Sequence, residues 1–307
     1  MVNQETLSLL NQLKQTQGKV SGAVLARQLG ISRVALWKRV EALRAAGYSV
    51  AADRGGYQLL PGDKPLPWEF PGDEGTLVHF ETLGSTMDEA FRLAQQGVTS
   101  GAVVAEKQSA GRGRGGRVWE SSGGDLLVTL ILRPPLPLSL IGALGLEALA
   151  SLADTLASLY GLMLTIKWPN DLMAGSRKVA GVLVEACGPA DRPLFYTVGL
   201  GLNVHGLPSL DRPVASMEAL GHPEADRRAI LTDWRRRLHG WTASPVLSPG
   251  RWAALAPPVF TSVETFDGRT ASGYSQGFDK SGSLLVAQAD EIIPIRYGES
   301  RTLGVAL

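Results

Sequence analysis

The segment Gln108–Arg117 contains three arginines and four glycines, and Trp119 follows two residues later. Glycines let backbone N–H groups approach a ligand closely, and the guanidinium groups of Arg112, Arg114 and Arg117 are forked donors that suit phosphate oxygens. No Gly-Lys-Ser/Thr sequence ends the segment, so it is not a P-loop. By itself it fits a phosphate-binding loop, a disordered Arg-Gly-Gly RNA-binding stretch, or a solvated basic turn. Its position between two predicted strands disfavours the last two.

A second polar segment, Lys167–Asp171, combines a lysine with a proline-fixed turn that presents an amide and a carboxylate. The Gly175-Ser176 turn then predicts a hairpin that carries Lys178 back toward this pair. A lysine beside a turn usually does no more than face solvent. Here an apolar strand follows at once, and its Gly181 indicates close approach of a ligand or another backbone.

Two further segments are ambiguous when each is taken alone. Gly199–Val204 predicts a strand with two glycines that ends near Asn203, and a buried structural strand fits it equally well. In Thr82–Asp88, the simplest role of Ser85 and Thr86 is to cap the helix that follows.

The basic residues are concentrated near the N-terminus. Residues 1–60 hold eight basic and three acidic side chains, whereas the whole chain has a net charge of +1. Because residues 1–60 are basic and the rest of the chain is acidic, this segment is expected to bind a polyanionic partner.

The same segment has a helix-turn-helix pattern. A leucine-rich first helix is followed by a second that Ser21 can cap and that stops at Gly30, and Ser32 can cap a third. Tyr48–Leu59 then predicts a two-stranded wing. The arrangement resembles winged helix-turn-helix repressors.

The third predicted helix has two faces. Ala35, Leu36, Val40 and Leu43 line the side that packs inward. We expect DNA to contact the outward side of this helix, its N-cap and the wing tip. Some of these side chains would enter the major groove, and others would contact phosphates. These residues are Ser32, Arg33, Val34, Trp37, Lys38 and Arg54. The alternative is a small helical domain whose basic residues only face solvent.

Composition limits the remaining classes. The chain is 44% hydrophobic and 19% charged, as expected of a globular protein. Cys187 is its single cysteine, which excludes an internal disulfide and a cysteine-based zinc site, and no metal site is predicted. We find no signal peptide, and the apolar region Leu138–Leu164 is interrupted by Glu147 and Asp154, which favours a core helix. A cytoplasmic protein without membrane contact is expected.

Beyond the first 60 residues, a Pro/Gly-rich linker is predicted over 61–75, then an α+β block over 76–260 and a β-rich block over 261–307. The α+β block predicts a sheet with helices packed on one side. Its predicted strands are Leu77–Glu81, Ala102–Gln108, Leu126–Leu132, Leu164–Trp168, Val179–Ala186 and Leu194–Val204. Its predicted helices are Met87–Gln96, Leu140–Tyr160 and Asp226–Trp241. The last block predicts four strands, Val263–Phe266, Ala271–Phe278, Leu284–Ala287 and Glu291–Arg296.

Taken in order, the four polar segments resemble the catalytic domain of biotin–protein ligases over residues 80 to about 205. The Gly-Arg-Gly-Arg loop followed by Lys-Trp-Pro-Asn-Asp is specific in combination. With the N-terminal block, the chain resembles the bifunctional form that also represses biotin-synthesis genes. The resemblance implies a winged helix-turn-helix domain, a central mixed or antiparallel sheet with helices of the class II synthetase type, and a C-terminal SH3-like β-barrel.

The resemblance also implies which residues form the site. The residues expected to bind biotin are Ser85, Thr86, Met87, Gln108, Arg112, Gly113, Arg114, Lys178 and Gly181. The residues expected to bind the nucleotide are Arg114, Arg117, Trp119, Asn170, Lys178 and Asn203. Those expected to take part in catalysis are Arg112, Arg114, Lys178 and Asp171. Asp171 is a candidate for orienting or deprotonating the incoming lysine, and a structural turn carboxylate is the alternative.

In such a reaction, biotin and Mg-ATP form biotinyl-5′-AMP, and a lysine of a biotin carboxyl carrier protein then takes the biotin. Biotinyl-5′-AMP would also be the corepressor of a homodimer on operator DNA. Family members often have Asn at Met87 and Arg at Gly115. We expect the first departure to remove a polar contact and the second to alter how the loop retains the adenylate.

Three rival interpretations stay open. A lipoate ligase shares the reaction type, and a transcriptional regulator could use the same domain only to sense a ligand. A working ligase could also carry an N-terminal block that regulates nothing.

Overall fold

The computed structural model describes residues 3–16, 18–70, 77–121, 123–206, 213–265 and 268–305. The chain divides into two compact units, Met1–Lys64 and Pro65–Leu307. Residues 71–75 of the predicted linker lie outside the described residues. The predicted boundaries at 60, 75 and 260 stay predictions.

The first unit is a helix-turn-helix with a wing, as predicted. Its elements are α1 (Gln4–Gln15), α2 (Gly22–Gln28), α3 (Arg33–Ala45), β1 (Val50–Asp53) and β2 (Gly56–Leu59). The Ser21 and Ser32 side chains accept hydrogen bonds from the backbone N–H groups of Ala23 and Ala35, so both predicted caps are confirmed. The antiparallel strands β1 and β2 form the wing.

Helix α3 presents the outward face that its sequence predicts. Leu36, Val40 and Leu43 are buried. Two large apolar side chains, Val34 and Trp37, are 65% and 54% exposed one helical turn apart. Ser32, Arg33 and Lys38 beside them, and Arg54 at the wing tip, are exposed as well.

The second unit contains two sheets. Its first elements are β3 (Leu77–Phe80), α4 (Thr86–Gln95), β4 (Gly101–Ala105), β5 (Leu126–Leu132), α5 (Ile141–Tyr160), β6 (Thr165–Lys167), β7 (Asp171–Ala174), β8 (Arg177–Cys187) and β9 (Phe195–Leu202). The strands pair in the order β3-β4-β5-β9-β8-β7-β6. Only β3 and β4 run parallel among these pairs, so the predicted mixed sheet is confirmed.

The prediction that the helices pack on one side of this sheet is wrong. Helix α5 and α6 (Arg227–Ala243) belong to the main core on one face. Helix α4 covers the other face, where its Ala90 and Ala94 meet Val103, Ile131 and Phe195. All seven residues of β5 are buried, and such an unbroken apolar strand is typical of a sheet covered on both faces.

Helix α5 is long and apolar enough to cross a membrane by composition, but 67% of its most apolar window is buried inside the protein. Its carboxylates are paired within the fold. Glu147 Oε1 lies 2.6 Å from an Arg251 nitrogen, and Glu147 Oε2 accepts a 3.0 Å bond from the indole of Trp252. Arg251 also reaches Asp154 at 2.6 Å. The two interruptions of the apolar run therefore hold α5 against the short helix that carries Arg251 and Trp252.

That helix is α7 (Pro249–Ala254), which the sequence does not predict because it opens on Ser-Pro-Gly, a turn signal. The C-terminal sheet follows as β10 (Val259–Glu264), β11 (Thr270–Phe278), β12 (Leu284–Gln288), β13 (Glu291–Ile295) and β14 (Glu299–Val305). All its pairs are antiparallel, in the order β13-β12-β11-β10-β14. Strand β14 is not predicted, and Phe266 lies outside the described residues. The SH3-like barrel stays a prediction.

We expect Arg251→Ala to lower the free energy of unfolding of the second unit by about 2 kcal/mol, because it leaves Glu147 buried without its counter-ion. Urea unfolding followed by tryptophan fluorescence measures the change. Arg236→Ala is the control, since Arg236 pairs with Asp233 at the surface, and it should cost about 0.5 kcal/mol or less. Equal losses in the two variants would contradict the role given to Glu147.

Candidate active site

An open cleft lies over β8 and β9 and brings most of the predicted site residues together. The predicted residues that line it are Thr86, Met87, Gln108, Arg112, Gly113, Arg114, Arg117, Trp119, Asn170, Asp171, Lys178 and Gly181.

 Thr86 and Gly201, the first and the last lining residues along the chain, come from α4 and β9.

Two predicted residues do not line the cleft. Ser85 is buried next to Thr86, and its hydroxyl has no hydrogen-bond partner among the residues that the structure describes. Asn203 is 2% exposed, and its amide donates to the backbone oxygens of Lys178 (3.5 Å) and Ala215 (3.1 Å). Asn203 therefore holds the start of β8 in place.

Neutral polar groups form one part of the cleft. Gln108 Oε1 accepts hydrogen bonds from the Thr86 backbone N–H (2.7 Å) and the Thr86 hydroxyl (3.0 Å). Ser85 stands at the N-cap of α4, as its sequence suggests, but its side chain makes no capping bond. Gln108 instead accepts from the backbone N–H of Thr86, the first residue of the helix, and this bond joins the start of the arginine loop (Gln108–Arg117) to α4.

Glycines leave a bare patch of backbone at the centre of the sheet. Gly181 and Gly201 face each other across β8 and β9. A Cβ on Gly201 would lie 2.3 Å from the Trp119 ring, and one on Gly181 would lie 3.0 Å from it. The indole therefore rests directly on this patch, and only glycine leaves room for it. Gly199, nearby on β9, makes the same room for Met87.

Lys178 and Asp171 form an ion pair beside the indole. Lys178 Nζ lies 2.5 Å from Asp171 Oδ1, and the contact is electrostatic rather than a well-directed hydrogen bond. The same ammonium group lies 5.2 Å from the centroid of the Trp119 ring. The predicted hairpin of β7 and β8 thus returns Lys178 to the turn, as expected. Asn170 donates to the backbone oxygen of Val182 at 3.1 Å, which ties that turn to β8.

The far end of the arginine loop contacts the C-terminal sheet. Arg117 pairs with Glu299 at 2.6 Å, and Arg114 donates to the backbone oxygen of Gly298 at 3.3 Å. Burial lowers the pKa of Arg114, and the positive charge of Arg117 adds to the effect. A partly buried guanidinium of this kind favours the approach of an anion.

Arg112 contacts carboxylates at the edge of the cleft. It lies 2.5 Å from Asp88 on α4 and also pairs with Glu185 on β8. Burial opposes the charge of Arg112, but the two carboxylates outweigh it and raise the pKa of the guanidinium. Arg112 therefore ties the loop to α4 and β8 and also lines the cleft.

Gly115 and Gly116 have φ angles of +62° and +75°. This left-handed conformation is unfavourable for an arginine, so the departure at Gly115 suits the path that the loop takes here. Glu299, which pairs with Arg117, is the group nearest to the place that a Cβ would take at position 115. An arginine there would compete with Arg117 for this carboxylate.

Sequence reasoning missed several residues of the site. Thr129 donates to the Thr86 hydroxyl at 2.9 Å, and its signal was a lone hydroxyl in an otherwise apolar strand. Asp88, Glu185 and Glu299 meet the loop arginines only through the tertiary fold. Among the described residues, no group of three or more His, Cys, Asp or Glu could hold a metal ion.

Family models match both units of the chain. A helix-turn-helix domain model matches residues 5–58, and the model of the biotin/lipoate A/B protein ligase family matches residues 80–203.

Similarity to individual proteins extends over most of the chain. It is 33% identical over 313 residues to the bifunctional ligase/repressor BirA of Bacillus subtilis (strain 168), covering 93% of this chain and 94% of the relative. It is 30% identical to the protein of the same name from Escherichia coli (strain K12), covering 91% of each. The biotin protein ligase of Aquifex aeolicus, solved in complex with biotin and ATP, has a TM-score of 0.63 to this chain. It covers 74% of this chain and 99% of its own, and at 23% identity it shows the fold alone.

We expect Gly201→Ala to displace the Trp119 indole, because the new methyl group would overlap the ring. With 5-fluorotryptophan incorporated, the ¹⁹F resonance of Trp119, assigned with Trp119→Phe, should move. Gly145→Ala is the control, since its Cβ would meet only Val184 at 3.7 Å. An unmoved resonance in Gly201→Ala would contradict the close packing of ring on backbone.

Proposed function

The chain belongs to the biotin/lipoate A/B protein ligase family, and we propose that it is a biotin–protein ligase with a repressor function. It forms biotinyl-5′-AMP from biotin and ATP and then transfers biotin to a lysine of a biotin carboxyl carrier protein. The relatives that support this proposal are described as ligase and repressor in one chain, and the N-terminal match to a helix-turn-helix model agrees with them.

One observation carries the assignment: a single cleft joins a neutral hydrogen-bonding part to a cationic part. Thr86 and Gln108 form the first, and Arg114 and Lys178 form the second. Biotin has the same division, with a neutral ureido ring at one end and a carboxylate at the other. The apolar side chain of Met87, which also lines the cleft, suits the hydrocarbon body of the ligand, although it offers no polar contact.

In the first step, the biotin carboxylate attacks the α-phosphate of ATP, and pyrophosphate leaves. Bringing two anions together is the main electrostatic obstacle, and Arg112, Arg114, Arg117 and Lys178 would offset it. The Asp171 carboxylate pairs with Lys178 and would hold its ammonium group in place until the substrate anions take over that contact. Magnesium would arrive on the nucleotide and supply further charge neutralisation at the phosphates.

The Trp119 ring, Asn170 and Asn203 are proposed to hold the nucleotide, Trp119 by packing near the adenine. Asn203 would act through the backbone of Lys178, because its amide donates to that carbonyl oxygen. The loop is proposed to close over the adenylate and keep water from the mixed anhydride.

In the second step, the carrier lysine attacks the acyl carbon of biotinyl-5′-AMP, and AMP leaves with the bonding electrons. Asp171 lies at the cleft beside Lys178 and is proposed to orient or deprotonate the incoming amine. No enzyme nucleophile is needed, since the lysine attacks the anhydride directly.

The first unit is proposed to bind operator DNA as a homodimer, with biotinyl-5′-AMP as corepressor. The exposed N-terminal half of α3 would enter the major groove, and the wing would contact the backbone. A cytoplasmic location is proposed, because both the operator and ATP are found there.

A mass-spectrometric assay tests the ligase function. The protein is incubated with ATP, a biotin-carrier domain and an equal mixture of biotin and lipoate, and a mass increase of one biotin on one carrier lysine is expected. Labelling by lipoate would instead identify a lipoate ligase. No acyl adenylate and no labelled carrier would favour a ligand-sensing regulator.

We expect Lys178→Ala and Arg114→Ala each to slow adenylate formation by about 10²- to 10³-fold with the fold retained, because each removes a cation from the developing phosphate charge. Single-turnover formation of biotinyl-5′-AMP measures the rate, and circular dichroism checks the fold. Arg177→Ala is the control, since Arg177 is the exposed neighbour of Lys178. Near-normal rates in both variants would contradict the assignment.

A footprint on a two-fold symmetric operator, strengthened by biotin and ATP, tests the repressor function. We expect Lys38→Ala to weaken binding and to reduce the slope of log affinity against log salt by about one, as for one lost phosphate contact. Lys14→Ala, which removes a basic residue of α1, should leave the slope unchanged. A protein that biotinylates its carrier but gives no footprint would be a ligase with a non-regulatory first unit.

A further inference from the structure

Thr129 lies in the middle of β5, and it is fully buried. It is the single polar residue of that strand, which otherwise consists of leucine, valine and isoleucine. A buried hydroxyl costs free energy unless it forms a hydrogen bond. Thr129 satisfies this requirement with one bond, from its hydroxyl to the Thr86 hydroxyl oxygen at 2.9 Å.

The direction of the hydrogen bonds in this cluster follows from one backbone group. The Thr86 backbone N–H can only donate, so the Gln108 atom 2.7 Å from it must be the amide oxygen. That oxygen can only accept, so the Thr86 hydroxyl, 3.0 Å away, must donate its proton to it. Thr86 then has no proton left for Thr129, and Thr129 must be the donor of their shared bond.

This relay determines what the cleft offers a ligand. The Gln108 amide nitrogen keeps both of its protons, and the Thr86 oxygen, having accepted one bond, keeps one lone pair. Both residues line the cleft. The cluster therefore presents donors and an acceptor side by side, which matches a cyclic urea with its carbonyl oxygen and N–H groups.

We propose that Thr129 is a positioning residue that fixes the donor and acceptor arrangement of Thr86 and Gln108 for the ureido ring of biotin. The inference rests on the proposed ligase function. Thr129 acts through Thr86 and touches no reacting atom. A chain of hydrogen bonds polarises its members, so removing the first donor weakens the bonds that follow it.

The neighbouring strand contains a matched control. Thr197 on β9 pairs in register with Ile131, two residues from Thr129, so both threonines point to the same face of the sheet. Thr197 is also fully buried, but its hydroxyl finds no hydrogen-bond partner within the described part of the chain. Replacing either threonine by valine removes one hydroxyl from the same face at nearly constant volume.

The experiment measures KM for biotin and KM for ATP in the full-length protein with Thr129→Val, Thr129→Ser and Thr197→Val. Thr129→Val should raise KM for biotin about 5- to 10-fold, as for one lost hydrogen bond, and leave KM for ATP unchanged. Thr129→Ser keeps the donor and should restore KM for biotin to within about twofold of the natural value. Thr197→Val should leave both constants unchanged. Thermal melting is recorded for every variant.

Several outcomes would overturn the proposal. One is an unchanged KM for biotin in Thr129→Val, and another is an equal rise in Thr197→Val. A rise that Thr129→Ser does not reverse, or one that accompanies an equal rise in KM for ATP, would reveal a merely structural role. A natural protein that makes no biotinyl-5′-AMP would instead refute the ligase function itself. If Thr129→Val does not fold, Thr129→Ala with biotin titrated by calorimetry replaces it, and an affinity equal to that of the natural protein overturns the proposal.

Discussion

The cations of the cleft are held together by carboxylates that come from other parts of the fold. Like charges repel at short range unless counter-ions lie among them. Asp171 stands beside Lys178, Asp88 and Glu185 beside Arg112, and Glu299 beside Arg117. These carboxylates belong to β7, α4, β8 and β14. The concentration of positive charge therefore exists only when the central sheet, helix α4 and the C-terminal sheet are assembled.

The second constraint is steric. The indole of Trp119 occupies the bare backbone of Gly181 and Gly201, and the thioether of Met87 occupies the space at Gly199. A side chain at any of these glycines would occupy space that Trp119 or Met87 now fills. The paired glycines thus connect the middle of the sheet to the position of the loop, while Gln108 connects the loop to the start of α4.

Local patterns predicted the elements well where the run or the spacing of apolar residues was unambiguous. The predicted bounds of β5 agree with the structure, and α6 buries Ile230, Leu231, Trp234 and Leu238 as its spacing indicates. Prediction failed where local signals conflicted with the tertiary outcome. Helix α7 begins with turn-forming residues, so it was not predicted. The packing of α4 on the second face of the sheet was not predicted either, because an apolar strand does not show which neighbours cover it.

The sequence by itself determined the types and order of the chemical groups: the arginine loop, the lysine after the hairpin, the glycines of β8 and β9, and the capped third helix of the first unit. Types and order suffice for a family resemblance, because backbone freedom at glycine and donor geometry at arginine are properties of single residues. Only the tertiary structure decided which groups meet. It paired Arg112 with Asp88 and Glu185, turned Asn203 toward backbone oxygens, and placed Thr129 behind Thr86. Contacts between distant segments depend on how strands register and helices cover them, and no local pattern contains that information.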